Sequence, residues 1–586
     1  MFSCHVELET TIPVMLDMNL PDPPEGYLHD VNNTIKSLEE STVAWKLYRN
    51  TLVPVSRLPT EILSIIFSLL PSFGLVVLEF PLSSLSSSMS PIPHVCHRWR
   101  EISLNLPYLW NHIHFTRLTS AGSAEILARS KMAPLHLEAE TVQWHREKFE
   151  KFEEQLMTHI HHTRHLSITI FPADLEEITR LVSSAPSLER LSITIHDSPH
   201  PEALVLPNNL FDGIAPELID LRLHNCGIHW ESPLLKGLRD LKLLSFPARA
   251  VTTLKTWLDA LNQMPQLERL SLHGHSPIHP VTQLEPGLTV VLFSLTELDI
   301  SVSVRQSIAV LAHLVLPALT GLRVNIQTNH ISDTLSRCVR RLIPCVTRNA
   351  HGPHDTESLQ SLSIGGDDMR SKVVAWTRPR QDTDVELSWV DFPDGIRPAR
   401  LTFSTRNRFE LAEKDIPVHD ALLTALPLNS ITSLTVNDRT PLSREVWHSH
   451  APRWDKLERV CLFPTAVPAF REMPEDAPRG DPLLLSLEEL DLTSVYLSAK
   501  MVYYLYEMLI DLLELEIPLR TLDLRRCIVS DRAVQLLSEI VVDVRGGPAR
   551  GHDEEDNGFD CVPPLLGSWD IDGDDDDDDN ETSSME

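Results

Sequence analysis

LRTLDLRRCIVSDRAVQLLSEIV, residues 519–541, changes its apolar spacing halfway along. In the first half Leu522 and Leu524 alternate with Thr521, Asp523 and Arg525, the period of a short strand whose leucines point one way and whose polar residues point the other. From Ser530 onward Ala533, Leu536, Leu537 and Ile540 recur at helical spacing, with Ser530 or Asp531 placed as the cap. One strand and one helix cannot cover their own apolar faces, whereas stacked copies can. The fold turns on whether the unit recurs.

It does. Units of the general form L-x-x-L-x-(L/I/V) begin at 188, 218, 238, 267, 295, 319, 359, 431, 457, 487 and 519, mostly 20 to 33 residues apart. A gap of 40 follows the unit at 319 and one of 72 follows that at 359, the second with room for a degenerate unit near ARLTFS at 399. Leu218–Ile228 and Leu519–Val529 share the fuller pattern L-x-x-L-x-L-x-x-C-x-(I/V), with Cys226 and Cys527 in the same place. This pattern resembles the cysteine-containing leucine-rich repeats. The resemblance implies an α/β solenoid of short parallel strands with helices, over residues 119–545, whose inner face binds a partner protein.

The third, fifth and seventh positions of the units supply that face. Its candidate substrate-binding side chains are Arg190, Arg222, Lys242, Arg269, Glu297, Asp299, Arg323, Arg459, Glu489, Asp491, Asp523 and Arg525. With Asp220 and Asp240 the face carries seven basic and seven acidic residues. Such a balance fits a protein of mixed charge and excludes a nucleic-acid backbone as its main ligand.

Composition points the same way. The chain has 586 residues, 42% hydrophobic and only 6% aromatic, with a formal charge of −31. About half of that charge lies in the last 36 residues, which hold 15 Asp/Glu and no Lys/Arg, so residues 546–586 read as a disordered acidic tail. The eight cysteines show no CxxC pair and no zinc spacing, the usage of a reducing compartment, and a cytoplasmic or nuclear location is expected. The N-terminal MFSCHVELETTIPVMLDM has acids where a secretory signal needs bases, and residues 1–27 read as irregular. Ile62–Leu78 is uncharged but broken by Pro71, Gly74 and three serines, so no membrane span is expected.

Ahead of the repeats, residues 28–56 read as an amphipathic helix and linker, with Val31, Ile35, Leu38, Val43 and Leu47 among charges. Next comes LPTEILSIIFSLL, residues 58–70, a helix by its spacing, with Pro59 and Glu61 in the first turn and eight large apolar side chains. Its polar residues Glu61, Ser64 and Ser68 occupy a strip only about 60° wide. A helical segment of some sixty residues cannot hide that much apolar surface alone, so either the rest of the chain or a second protein shares it.

The same helix, followed by Val95-Cys96-x-x-Trp99-Arg100-x-Ile102 and Pro107-x-Leu109-Trp110, resembles the F-box motif in its F-box-like form, abundant in fungal proteins. The 24 residues between Leu70 and Val95 are Ser/Pro-rich and exceed the usual spacer. The resemblance implies a small all-α F-box domain over 57–118 that docks on a Skp-type adaptor and, through it, on a cullin. By the matching positions Leu58, Pro59, Ile62, Leu63, Ile66, Phe67, Val95, Cys96 and Trp99 carry adaptor contact or packing within the domain. F-box plus repeats resembles the substrate receptors of Skp–cullin–F-box ubiquitin ligases, which hold a target while other subunits transfer ubiquitin. The alternative is a repeat scaffold whose acidic tail recruits basic partners.

No catalytic set is expected. G-x-x-x-x-G-K-[ST], G-x-S-x-G and H-E-x-x-H are all missing from the sequence. HIHHTRH, 159–165, has no carboxylate or thiol at ligand spacing, and IDGDDDDDD lacks the order of a calcium loop, so neither metal nor cofactor is expected.

Overall fold

The computed structural model describes residues 27–77, 92–141, 144–171, 183–196, 205–247, 251–274, 278–279, 287–328, 341–342, 344–345, 358–367, 370–378, 400–407, 422–436, 444–463, 466–467, 470, 484, 486–514, 517 and 519–546. The irregular N-terminal extension, most of the Ser/Pro-rich spacer and the acidic tail lie outside these residues. The protein is a mixed α/β molecule with extensive, mostly parallel β-sheet. It divides into two compact units, Met1–Ser198 with Pro207–Leu218, and Pro199–Leu206 with Ile219–Glu586. That division falls inside 119–545.

The first unit contains α1 (Tyr27–Leu52), α2 (Thr60–Val77), α3 (His97–Leu104), β1 (His112–His114), α4 (Ser120–Ser130), β2 (Leu135–Glu140), α5 (Arg146–His159), β3 (Thr163–Ile170) and β4 (Arg190–Ile195). Its four strands are parallel and stack one apolar row, Ile113 against Leu137, Leu137 against Leu166, and Leu166 against Leu191, all buried. The stacking therefore begins at β1, inside the segment expected to be all-α over 57–118. HIH is too short to show a period, and its strand state follows from Ile113 finding Leu137 in register.

The second unit runs β5 (Val205–Leu206), β6 (Asp220–His224), β7 (Gly227–Ile228), β8 (Asp240–Phe246), α6 (Leu254–Asn262), β9 (Arg269–Gly274), β10 (Val290–Val291), β11 (Glu297–Val302), α7 (Val304–His313), β12 (Leu314–Val315) and β13 (Gly321–Thr328). It continues with β14 (Ser361–Asp367), β15 (Arg370–Trp376), β16 (Leu401–Asn407), β17 (Ser433–Val436), α8 (Arg444–His450), β18 (Arg459–Leu462), β19 (Glu489–Tyr496), α9 (Ala499–Glu514), β20 (Thr521–Ile528), α10 (Asp531–Leu537) and β21 (Asp543–Arg545). Leu221, Leu241, Leu270, Leu298, Leu322 and Leu401 form one fully buried row across β6, β8, β9, β11, β13 and β16. Leu362, Leu434, Val460, Leu490 and Leu522 form another across β14, β17, β18, β19 and β20.

Between the two rows the order departs from the chain. β13 pairs with β16 and not with β14, and β15 lies antiparallel to both β14 and β16. The unit at 359 thus does not stack on the unit at 319, whereas the degenerate unit near 399 does. Two residues separate Asp367 from Arg370, which permits an antiparallel pair but no parallel crossover.

Local chemistry sets the element ends. Ser530 Oγ accepts from Ala533 N at 3.3 Å at the start of α10, and Thr253 Oγ1 accepts from Thr256 N at 3.2 Å at the start of α6. Cys527 Sγ lies 3.0 Å from the Leu492 carbonyl oxygen, and burial pushes the Cys226 thiol up to about 12. Both repeat-position cysteines are buried thiols. Among the described residues no helix is long and apolar enough to cross a membrane.

Candidate functional site

α2 divides into three faces. Leu63 and Phe67 are interior, packed with Ile92 and Ile102, while Val55, Leu58, Trp99, Leu106 and Leu109 close the cluster from its sides. The Phe67 and Trp99 rings meet at 4.9 Å between centroids, tilted by 59°. Arg98 fastens this arrangement: its guanidinium donates to the carbonyls of Ser56 and Leu58, both at 2.6 Å, so α3 is tied to the turn that launches α2. Trp110 donates from Nε1 to the Ser103 carbonyl at 2.7 Å. A second face is polar, with Ser64 and Ser68 satisfied by the carbonyls of Thr60 and Ile65.

The third face is apolar and bare. Ile62 is 43% exposed, Ile65 56%, Ile66 39% and Leu69 56%, and at 100° per residue the four fall on an arc about 100° wide. Val95, ahead of α3, is also exposed, at 56%. Large apolar residues at this exposure, contiguous on one helix, form a candidate docking surface.

The nine sequence-predicted docking residues separate accordingly. Ile62, Ile66, Val95 and Pro59 are exposed; Leu58, Cys96 and Trp99 are half-buried; Leu63 and Phe67 lie inside and present nothing to a partner. The last two act as the backing that holds the exposed face. Ile65 and Leu69 complete that face and were missed, although their three- and seven-residue spacing from Ile62 was the available signal.

The twelve candidate side chains of the strand face are all described, and most are already engaged. Arg269 donates to Asp240 at 2.8 Å, a hydrogen bond that raises its pKa, with Glu297 close by. Asp299 lies between His273 Nε2 at 3.1 Å and Arg323 at 2.8 Å; burial pushes its pKa up, but these two neighbours outweigh burial and hold the carboxyl below its usual range. Arg459 reaches Glu489 at 2.6 Å, and Arg545 approaches the same carboxylate at 3.9 Å. Asp523 is held low in the same manner, burial opposing and Arg525 prevailing. Arg222 bonds Asp220 at 3.1 Å, and Asp491 accepts from Thr493 at 3.4 Å. Lys242 sits half-buried on β8 and Arg190 exposed at the start of β4. Arg222, Arg269, Asp299, Arg323, Arg459, Glu489, Asp523 and Arg525 thus stand in ion pairs, and partly exposed pairs of this kind contribute about 0–1 kcal/mol each.

In the first unit, residues level with one another on β1, β2 and β3 build a row of imidazoles. His112 stacks on His136 at 4.1 Å and His136 meets His165 edge-on at 4.0 Å. Burial, then the nearby His112, His165, Arg164 and Arg190, drives His136 down to about 3; burial and Arg190, opposed by Glu189, take His165 to about 4. His159 Nδ1 and His162 Nε2 lie 3.0 Å apart, and His162 Nδ1 lies 2.9 Å from the Ala133 carbonyl oxygen. Among the described residues no group of three or more His, Cys, Asp or Glu is arranged to hold a metal.

No family model matches the chain, and no curated protein matches it.

Proposed function

We propose that the protein is a substrate-recognition subunit of a Skp–cullin–F-box ubiquitin ligase. The α2–α3 segment is then an F-box-like domain that docks on a Skp-type adaptor, and the strand array is a leucine-rich-repeat solenoid that holds the target protein. The observation carrying this reading is the bare face of α2: Ile62, Ile65, Ile66 and Leu69 exposed on the outer side of a helix whose inner side is closed by Leu63, Phe67 and Trp99. Covering four side chains that are each about half exposed is worth about 3–6 kcal/mol gross, before the costs of association, a contribution suited to the centre of a larger interface. The balanced charge of the strand face supports a protein target. Ubiquitin transfer falls to other subunits, and the protein acts in the cytoplasm or nucleus.

Capture by a purified Skp-type adaptor is the test. The wild-type chain is expected to bind, and Ile62→Asp with Ile66→Asp to abolish binding while leaving the unfolding midpoint unchanged, because neither side chain is interior. Equal capture of both proteins would remove the assignment.

A further inference from the structure

β14, β15, β16 and β17 are buried on both faces. On one face Leu401, Ala375, Leu362 and Leu434 stand level and join the two leucine rows. The opposite face carries Thr402, Val374, Trp376, Ser361, Ser363 and Thr435, and every one of them is buried as well. On β9, β11 and β13 the corresponding side chains, Ser271, Glu297, Arg323 and Asn325, are only half-buried. Val374 and Trp376 form a hydrophobic cluster separate from the leucine rows. The hydroxyls of Ser363 and Ser433 are buried there with no hydrogen-bond partner among the described residues, so what lies over them is apolar. A sheet buried on both faces has a layer on each.

One segment of the chain is placed to form that second layer. Residues 379–399 join β15 to β16, neighbouring antiparallel strands whose ends lie side by side at Ala375 and Leu401. Such neighbours need about two to five connecting residues, and here there are twenty-one. The connections from β13 to β14 and from β16 to β17 must carry the chain back from the end of one strand to the start of a parallel one, whereas this segment has no such crossing to make. Both of its ends are fastened. The Ser361 hydroxyl donates to the Arg378 carbonyl at 2.8 Å, which brings the chain leaving β15 over β14, and buried Arg400 donates to the Leu319 carbonyl ahead of β13. The segment holds Val385, Leu387, Trp389, Val390, Phe392 and Ile396, apolar side chains enough to fill a layer. Twenty-one residues reach up to about 70 Å, and β17 lies two strand spacings, about 10 Å, from β15. We infer that residues 379–399 pack across this face of β14–β17 and withdraw it from partner binding. Under the receptor role proposed above, and resting on it, the target then meets the half-open strands on either side.

Alkylation by iodoacetamide, read peptide by peptide in a mass spectrometer, tests the packing without any target or adaptor. In the folded full chain the thiol introduced by Ser363→Cys is expected to react no faster than buried Cys226 and Cys527. Adding Leu387→Asp with Trp389→Asp should speed it about tenfold or more while Cys226 and Cys527 stay protected, because this face opens and the leucine rows do not. Should Cys226 and Cys527 open too, Leu387→Ala, mild enough to leave the rows intact, is read in the same way. A thiol at position 363 that reacts freely in the otherwise unchanged chain overturns the inference, since the face is then open. So does one whose protection no substitution in 379–399 alters, since another segment then covers it. Loss of adaptor capture or of target binding does not touch these rates, so the inference and the proposed function fail separately.

Discussion

Ile66 and Phe67 are adjacent in sequence, and their environments are opposite: one is on the bare face of α2, the other against Trp99. Phe67→Ala is expected to cost about 3–5 kcal/mol in urea unfolding, since it empties a closed cluster, whereas Ile66→Ala should stay within about 0.5 kcal/mol. Adaptor capture should show the reverse sensitivity. Arg98→Ala should cost about 1–3 kcal/mol, because it leaves the Ser56 and Leu58 carbonyls without their donor. The helix itself was legible from LSIIF. Which of its apolar residues face inward was not, because Trp99 and Ile102, which choose the inner side, lie more than thirty positions away in sequence and meet α2 only on folding.

Among the elements, α10 shows how far local rules reach. Of the two caps the sequence offers, Ser530 and Asp531, it is Ser530 that caps it, and Ser530→Ala should cost about 1 kcal/mol, measurable as a lower unfolding midpoint. β1 to β3 show what local rules miss. The stacked row of His112, His136 and His165 exists only because three separate strands share one register. Its pH consequence has a definite sign. An unfolded histidine takes up a proton below about 6.5, but folded His136 resists until about 3 and His165 until about 4, first because both are buried and then because Arg164, Arg190 and His112 oppose protonation, with Glu189 favouring it at His165. The unfolded state binds more protons in that interval, so stability falls as pH drops through it. Urea midpoints should therefore decline more steeply on acidification for wild type than for His136→Gln. The depressed carboxyls Asp299 and Asp523 add to the acid loss lower down: their contribution is full above the ordinary carboxylate range and drains as pH falls below it.

At the scale of the molecule, the buried rows make each strand's stability depend on its neighbours. Leu298→Ala, at the centre of the first long row, should cost about 2–5 kcal/mol and lower hydrogen-exchange protection in β9, β11 and β13 while leaving β1 to β4 protected. By itself the sequence determined the repeating strand, its buried leucines and its capped helices, because periods of two and of about 3.6 are properties of a few consecutive residues. It determined also that α2 holds more apolar surface than it can hide. Only the tertiary structure decided that β16 and not β14 follows β13, that β15 runs against both its neighbours, and which side of α2 Trp99 and Ile102 close. Strand order and facing are choices among competing partners of nearly equal local merit, and they are settled by which long-range pairings bury the most leucine at once.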